Sequence, residues 1–177
     1  GQSKPVIKEG ESVPKSFLNT GINVTTTWHY YIDPFESDRQ YIAYTDIGFA
    51  RSVDKGNSWL FWPYSGPHTK IPYEWHNTLY EIAFDPEVPG KMWGAFSRAH
   101  DLPNGNSIIG NHYTKFTDDQ RKGGIGFSSD FAATWDDAGY NNGLPNRPTV
   151  SVIVDPASPK NNRTLYAGQY DQGVFKS

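Results

Sequence analysis

At 177 residues the chain is long enough for one domain with a substantial core, and its 6 Trp, 11 Tyr, 10 Phe, 17 Gly and 13 Pro favour an all-β fold rich in turns. A formal net charge of -3 without any run of Lys or Arg argues against nucleic acid or an anionic membrane as the main partner. With no Cys there is neither a disulfide framework nor a thiolate metal site, and no apolar stretch is long enough for a membrane span.

Residues 1–20 are polar and broken by Pro5, Gly10 and Pro14. They read as an arm with one short strand near Val13 to Leu18, which either pairs with the last of the sheets that follow or forms a disordered leader. From Asn23 an internal repeat begins: Trp28 to Pro34 (WHYYIDP), Tyr80 to Pro86 (YEIAFDP) and Val150 to Pro156 (VSVIVDP) are each a β-rich run closed by Asp-Pro, a pair that ends a strand and opens a turn. Each is expected to be the first strand of a four-stranded unit.

A second strand led by Tyr41, Trp93 or Tyr166 follows, and then a third, from Gly48, Gly124 or Gly173 to Ser52, Ser128 or Ser177. The Asp-Pro spacing is 52 residues from Asp33 to Asp85 and 70 from Asp85 to Asp155. Trp93 to Gly124 spans 31 residues where Tyr41 to Gly48 spans 7, so the second unit carries a 24-residue insertion, at about 97–123. Removing it leaves 46, which suits a four-stranded blade of about 40 to 50 residues.

Each third strand runs into a turn. Ser52-Val53-Asp54-Lys55-Gly56-Asn57-Ser58-Trp59 places an Asp that accepts backbone N–H bonds, a Gly for positive φ, and a Trp that opens the next strand. In the second copy, Ser128 to Trp135, Asp130 and Trp135 are kept but Ala132 stands where Gly is expected, so a degenerate hairpin is predicted. The third copy stops at Ser177.

The octapeptide resembles the Asp box of sialidase-like (BNR), sortilin-like and xyloglucanase-like β-propellers. That resemblance implies an all-β, incomplete propeller: an arm at 1–20, blade one at 21–76, blade two at 77–146 and a partial blade three at 147–177, about two and a half blades in all. Closed propellers have about four to eight blades, so the remainder of the ring, from the same or another chain, is an expected partner.

Strand order sorts the loops onto two rims. The Asp-Pro turns and boxes share one rim, so a ligand is expected on the other. That rim collects Asp46 from blade one, the insertion, Tyr170 and Asp171 from blade three, and the stretches 63–77 and 136–147 with Tyr73, Trp75, His76 and Tyr140. Rings with carboxylates suit a carbohydrate, whose C–H faces stack on aromatics while its hydroxyls bond to acids. For any one aromatic, packing between blades is the competing reading.

Tyr41-Ile42-Ala43-Tyr44-Thr45-Asp46-Ile47-Gly48 also resembles the Y-x-R-T-D-[IV]-G-G segment of xyloglucan-active hydrolases built of two tandem propellers. There the Asp is one of two catalytic carboxylates of an inverting hydrolysis, a role the resemblance carries to Asp46. Tyr44 replaces the family's Arg, Phe49 its second Gly, and the partner carboxylate comes from the other propeller. The fragment alone is therefore expected to be inactive. Asp171 occupies the same repeat position as Asp46, so a turn role is the alternative.

The implied function is a secreted glycan-active module on neutral polysaccharide, extracellular, at the cell surface or periplasmic. The alternative is a non-catalytic propeller that binds glycan or protein. No cofactor is expected, and His100, Asp101 and His112 lack metal-ligand spacing.

Overall fold

The computed structural model describes residues 2–6, 16–20, 25–61, 70–102, 112–139 and 142–177. Two N-terminal strands, β1 (Gln2–Val6) and β2 (Ser16–Thr20), pair antiparallel with each other. The arm thus folds back on itself instead of joining the last sheet, whose members are β11, β12 and β13 (Thr149–Val154, Leu165–Gln169, Gly173–Lys176).

The rest forms three successive blades of a β-propeller. Blade one is a meander of β3 (Thr27–Ile32), β4 (Gln40–Tyr44), β5 (Phe49–Ser52) and β6 (Leu60–Phe61). Blade two is β7 (Thr78–Phe84), β8 (Met92–Ser97), β9 (Gly123–Ser128) and β10 (Asp136–Asp137), and blade three is β11 to β13. The repeat extends to irregularities. Each innermost strand breaks register at one residue, Trp28, Tyr80 or Val150, always the fifth before the Asp of Asp-Pro. These three bulged residues share one apolar cluster with Ala99, Leu102, Tyr113 and Tyr170.

The Asp of each Asp-Pro caps its own turn. Asp33 Oδ1 accepts the N–H groups of Phe35 and Glu36 at 2.9 and 3.1 Å, and Asp85 Oδ1 those of Glu87 and Val88 at 2.9 and 3.1 Å. The intervening Pro has no donor to satisfy. Arg163 of blade three locks onto the second of these turns through two bonds to Asp85, at 2.9 and 3.0 Å, and one to Glu87 at 2.5 Å.

Blades stack through apolar faces. Tyr41, Phe49, Trp75, Leu79, Met92, Phe96 and Trp135 fill the seam between blades one and two; Trp93, Ala95, Ile125, Val152, Val154 and Ala167 fill the next. Two hydrogen bonds cross these seams at one repeat position. The Ile82 N–H donates to the Tyr31 hydroxyl at 3.0 Å, and the Val152 N–H to Glu81 Oε2 at 3.0 Å.

The two Asp-centred hairpins share the same clamp of bonds on the Asp carboxylate. Asp54 Oδ1 accepts from the Ser58 N–H at 2.8 Å and from the Ser52 hydroxyl at 2.7 Å, while Oδ2 accepts from the Ser58 hydroxyl at 2.6 Å. Asp130 repeats this with Thr134 and Ser128 at 2.8, 2.9 and 2.6 Å. Bonds from Ser58, hydroxyl then amide, and from Ser52 hold the Asp54 carboxyl down at about 2. The degenerate hairpin expected from Ala132 is therefore not found: Ala132 adopts φ 57 where Gly56 has 79, accepting left-handed strain to keep the clamp.

Candidate functional site

Asp46 sits on the β4–β5 turn, at the opposite end of β5 from Asp54. Thr45, behind it, is buried and held by the Trp28 indole N–H (2.6 Å to its hydroxyl) and by the Thr25 hydroxyl (3.0 Å to its carbonyl). Asp46 takes φ 68, a conformation Asp tolerates, and its carboxylate projects outward, 57% exposed. Oδ2 accepts a long bond from Thr25 Oγ1 at 3.4 Å, and Oδ1 lies 3.9 Å from His100 Nδ1.

A second turn meets the first. The 3₁₀ segment Tyr73–Asn77 precedes β7, and Gly48 N–H donates to the Asn77 carbonyl at 3.0 Å. Gly48 has φ 65, and a Cβ there would lie 2.5 Å from the His76 carbonyl oxygen, so only glycine lets the turns touch. Trp75 anchors the 3₁₀ segment from below. It is fully buried, donates to Asn146 Oδ1 at 2.9 Å, and lies over Gly124, where a Cβ would fall 2.2 Å from its ring.

With the start and end of the β8–β9 insertion, these turns enclose a cleft of about 410 Å³ lined by Asp46, Tyr73, Glu74, His76, Asn77, Arg98, Ala99, His100, Phe116 and Gln120. Its charges are largely engaged: Arg98 pairs with Asp119, and Lys122 bridges Asp119 (2.7 Å) to Glu74 (3.4 Å). Tyr73 is 76% exposed and rests against the His76 ring, centroids 5.1 Å apart and edge-on. Burial pushes His76 down to about 4, partly offset by a bond to the Ile71 backbone and the charge of Glu74, so it is neutral at pH 7.

Of the sequence candidates, Asp46, Tyr73 and His76 converge on this cleft. Trp75 does not: a wholly buried ring has no face to offer a ligand, so the expected binding role is corrected to a packing one. Tyr170 meets Tyr113 edge-on with ring centroids 4.6 Å apart, and Asp171 accepts from the Gln172 side-chain amide at 2.6 Å; neither lines the cleft. Tyr140 lies outside the described residues. Sequence reasoning did not single out Phe116, Gln120 or the pairing of His100 with Asp46. Their signal was position in rim loops, which does not say which loop residues face inward.

Among the described residues no cluster of His, Cys, Asp and Glu is arranged to hold a metal ion, and no helix is long and apolar enough to cross a membrane.

No protein-family profile matches the chain, and no curated protein does. Among solved structures it is similar to an ancestral GH74 enzyme, with a TM-score of 0.55 and 14% identity over 85% of this chain and 17% of that one. At that identity the likeness is one of fold, and it agrees with the blades described above. The chain spans 17% of the length of that enzyme.

Proposed function

We propose that this chain is part of a secreted glycan-active β-propeller, a glycoside hydrolase acting on neutral polysaccharide in which Asp46 is one of the two catalytic carboxylates. The observation that carries the reading is the meeting of an outward carboxylate, Asp46, and a three-quarters exposed ring, Tyr73, in one cleft on the rim opposite the Asp-centred hairpins. The pairing of ring and carboxylate suits a sugar: the ring covers a C–H face and the acid reaches its oxygens. Neutral substrate fits because the cations at the cleft, Arg98 and Lys122, already face carboxylates.

Inverting hydrolysis places a general acid and a general base about 6.5 to 9.5 Å apart with water between. Asp46 supplies one, and the resemblance to tandem-propeller hydrolases puts the other in a second propeller. Further blades are the natural cover for the outer face of blade three, where Ile153 and Val174 are 58% and 75% exposed. The likeness in fold to an ancestral GH74 enzyme and the Asp-centred hairpins support the same reading.

The deciding experiment is hydrolysis of neutral polysaccharides by the full-length protein and its Asp46→Asn variant. A loss on the order of 10² to 10⁴ in kcat is expected; unchanged hydrolysis removes Asp46 from catalysis. One observation favours the second reading, a non-catalytic propeller that binds glycan or protein: Asp171 takes the same left-handed conformation as Asp46, φ 61 against 68, so the turn alone accounts for an Asp there. Polysaccharide binding without any hydrolysis selects that reading.

A further inference from the structure

Asp46 and Asp171 are the same residue of the repeat, yet their surroundings differ. Asp171 takes a bond from the Gln172 amide and faces a neutral phenol, that of Tyr113. Asp46 faces an imidazole from the neighbouring blade, with His100 Nδ1 3.9 Å from Oδ1. The same Nδ1 lies 3.3 Å from Asp101 Oδ2, and Asp101, like Asp46, is left-handed at φ 53. One ring nitrogen therefore stands between two carboxylates carried by two blades.

We propose that His100 is a positioning residue for Asp46: its Nδ1 edge, fixed by the hydrogen bond to Asp101, presents a polar contact to the Asp46 carboxylate at 3.9 Å, beyond hydrogen-bond length, that favours the orientation toward the cleft. The turn itself leaves the Asp46 carboxylate loosely held. Its bond within blade one is the 3.4 Å contact from Thr25, and no backbone N–H reaches it among the described residues. A carboxylate left to rotate spends less time in a reactive orientation, and misplacement by about an ångström costs up to about 10²-fold in rate. Arg98, at the same edge of the cleft, is occupied by Asp119, so His100 is the group placed for the task.

The inference rests on the catalytic reading of Asp46, and the test separates the two. His100→Asn places an amide N–H where Nδ1 stood, whereas His100→Phe keeps the ring shape without a donor. In the full-length protein on a neutral polysaccharide, His100→Phe is expected to lower kcat on the order of tenfold or more with KM little changed, and His100→Asn to restore most of it. If Asp46→Asn abolishes hydrolysis while His100→Phe keeps wild-type kcat, the positioning role is overturned and the catalytic reading stands. If Asp46→Asn leaves hydrolysis intact, the catalytic reading falls. For a protein without hydrolytic activity, crystal structures of wild type and His100→Phe decide: an unchanged Asp46 rotamer overturns the positioning role, and a rotated one supports it.

Discussion

The amide of Gly48 and the carbonyl of Asn77, 3.0 Å apart, join the turn that carries Asp46 to the turn that carries Tyr73, Glu74 and His76. The central turn of blade one and the segment leading into blade two thereby form one wall of the cleft. Gly48→Ala attacks that joint twice, by forcing a side chain into φ 65 and by driving a Cβ to 2.5 Å from a backbone oxygen. A loss of about 1 to 3 kcal/mol is expected by denaturant titration, together with weaker polysaccharide binding. An unshifted midpoint would show that the turns are not so tightly joined.

Tyr73 and Trp75 are two residues apart and should respond oppositely. Trp75→Ala empties a fully buried site and removes one of the two donors to Asn146 Oδ1, so it should cost about 3 to 5 kcal/mol of stability. Tyr73→Ala removes an exposed ring and should change stability by no more than about 0.5 kcal/mol. Glycan affinity, read by calorimetry, should fall in the Tyr73 variant. Equal destabilisation by both would contradict the burial described here.

The paired hairpins make a third comparison. Gly56→Ala introduces left-handed strain at φ 79 and should cost about 1 to 2 kcal/mol. Ala132→Gly relieves similar strain at φ 57 but gives up a buried methyl, about 0.8 kcal/mol, and adds unfolded-state entropy of about 0.5 to 1 kcal/mol. The opposing effects nearly cancel, so a change within about 1 kcal/mol is expected, measured by thermal or chemical denaturation. A gain well above that would mean the strain at Ala132 dominates.

Acid should weaken the fold in two stages. His76 is held at about 4 in the fold against about 6.5 unfolded, so the unfolded chain takes up a proton first, and stability falls as pH drops from about 6.5 to 4. Burial raises Asp85, but Arg163, the Glu87 amide and Lys91 outweigh it and leave the carboxyl at about 2. Its contribution, about 2 kcal/mol, is complete above about pH 4 and lost as pH falls toward 2. Melting temperatures from pH 8 to 2 should show both slopes; His76→Gln should abolish the upper one and spare the lower.

The blade strands were legible because their signals are local. Asp-Pro ends a strand by capping, alternation marks the faces, and a fixed period reports the copy number. The rim that carries the cleft was legible as a rim, since strand order alone sorts loops to one end or the other. What the loops do with their side chains was not. Tyr73-Glu74-Trp75-His76 reads as one aromatic cluster, but a 3₁₀ turn sends Trp75 into the seam and Tyr73 to solvent, and that turn is set by Asn146 and Gly124, far along the chain. Ala132 misled for a related reason: a hairpin clamped by five or so bonds and packed on Phe49 and Phe96 through Trp135 overrides a local preference of about 1 to 2 kcal/mol.

The hydrogen bonds that cross the seams bear on how such a chain can change. The amide third before Asp-Pro receives its acceptor from the preceding blade both times, but from Tyr31 in one case and Glu81 in the other, which are not equivalent residues. Neighbours are thus matched pairs. A blade duplicated, deleted or transplanted into a new order would meet a predecessor unsuited to its seam-facing amide, so shuffling is constrained at the joints even where the folding unit itself is freely repeated.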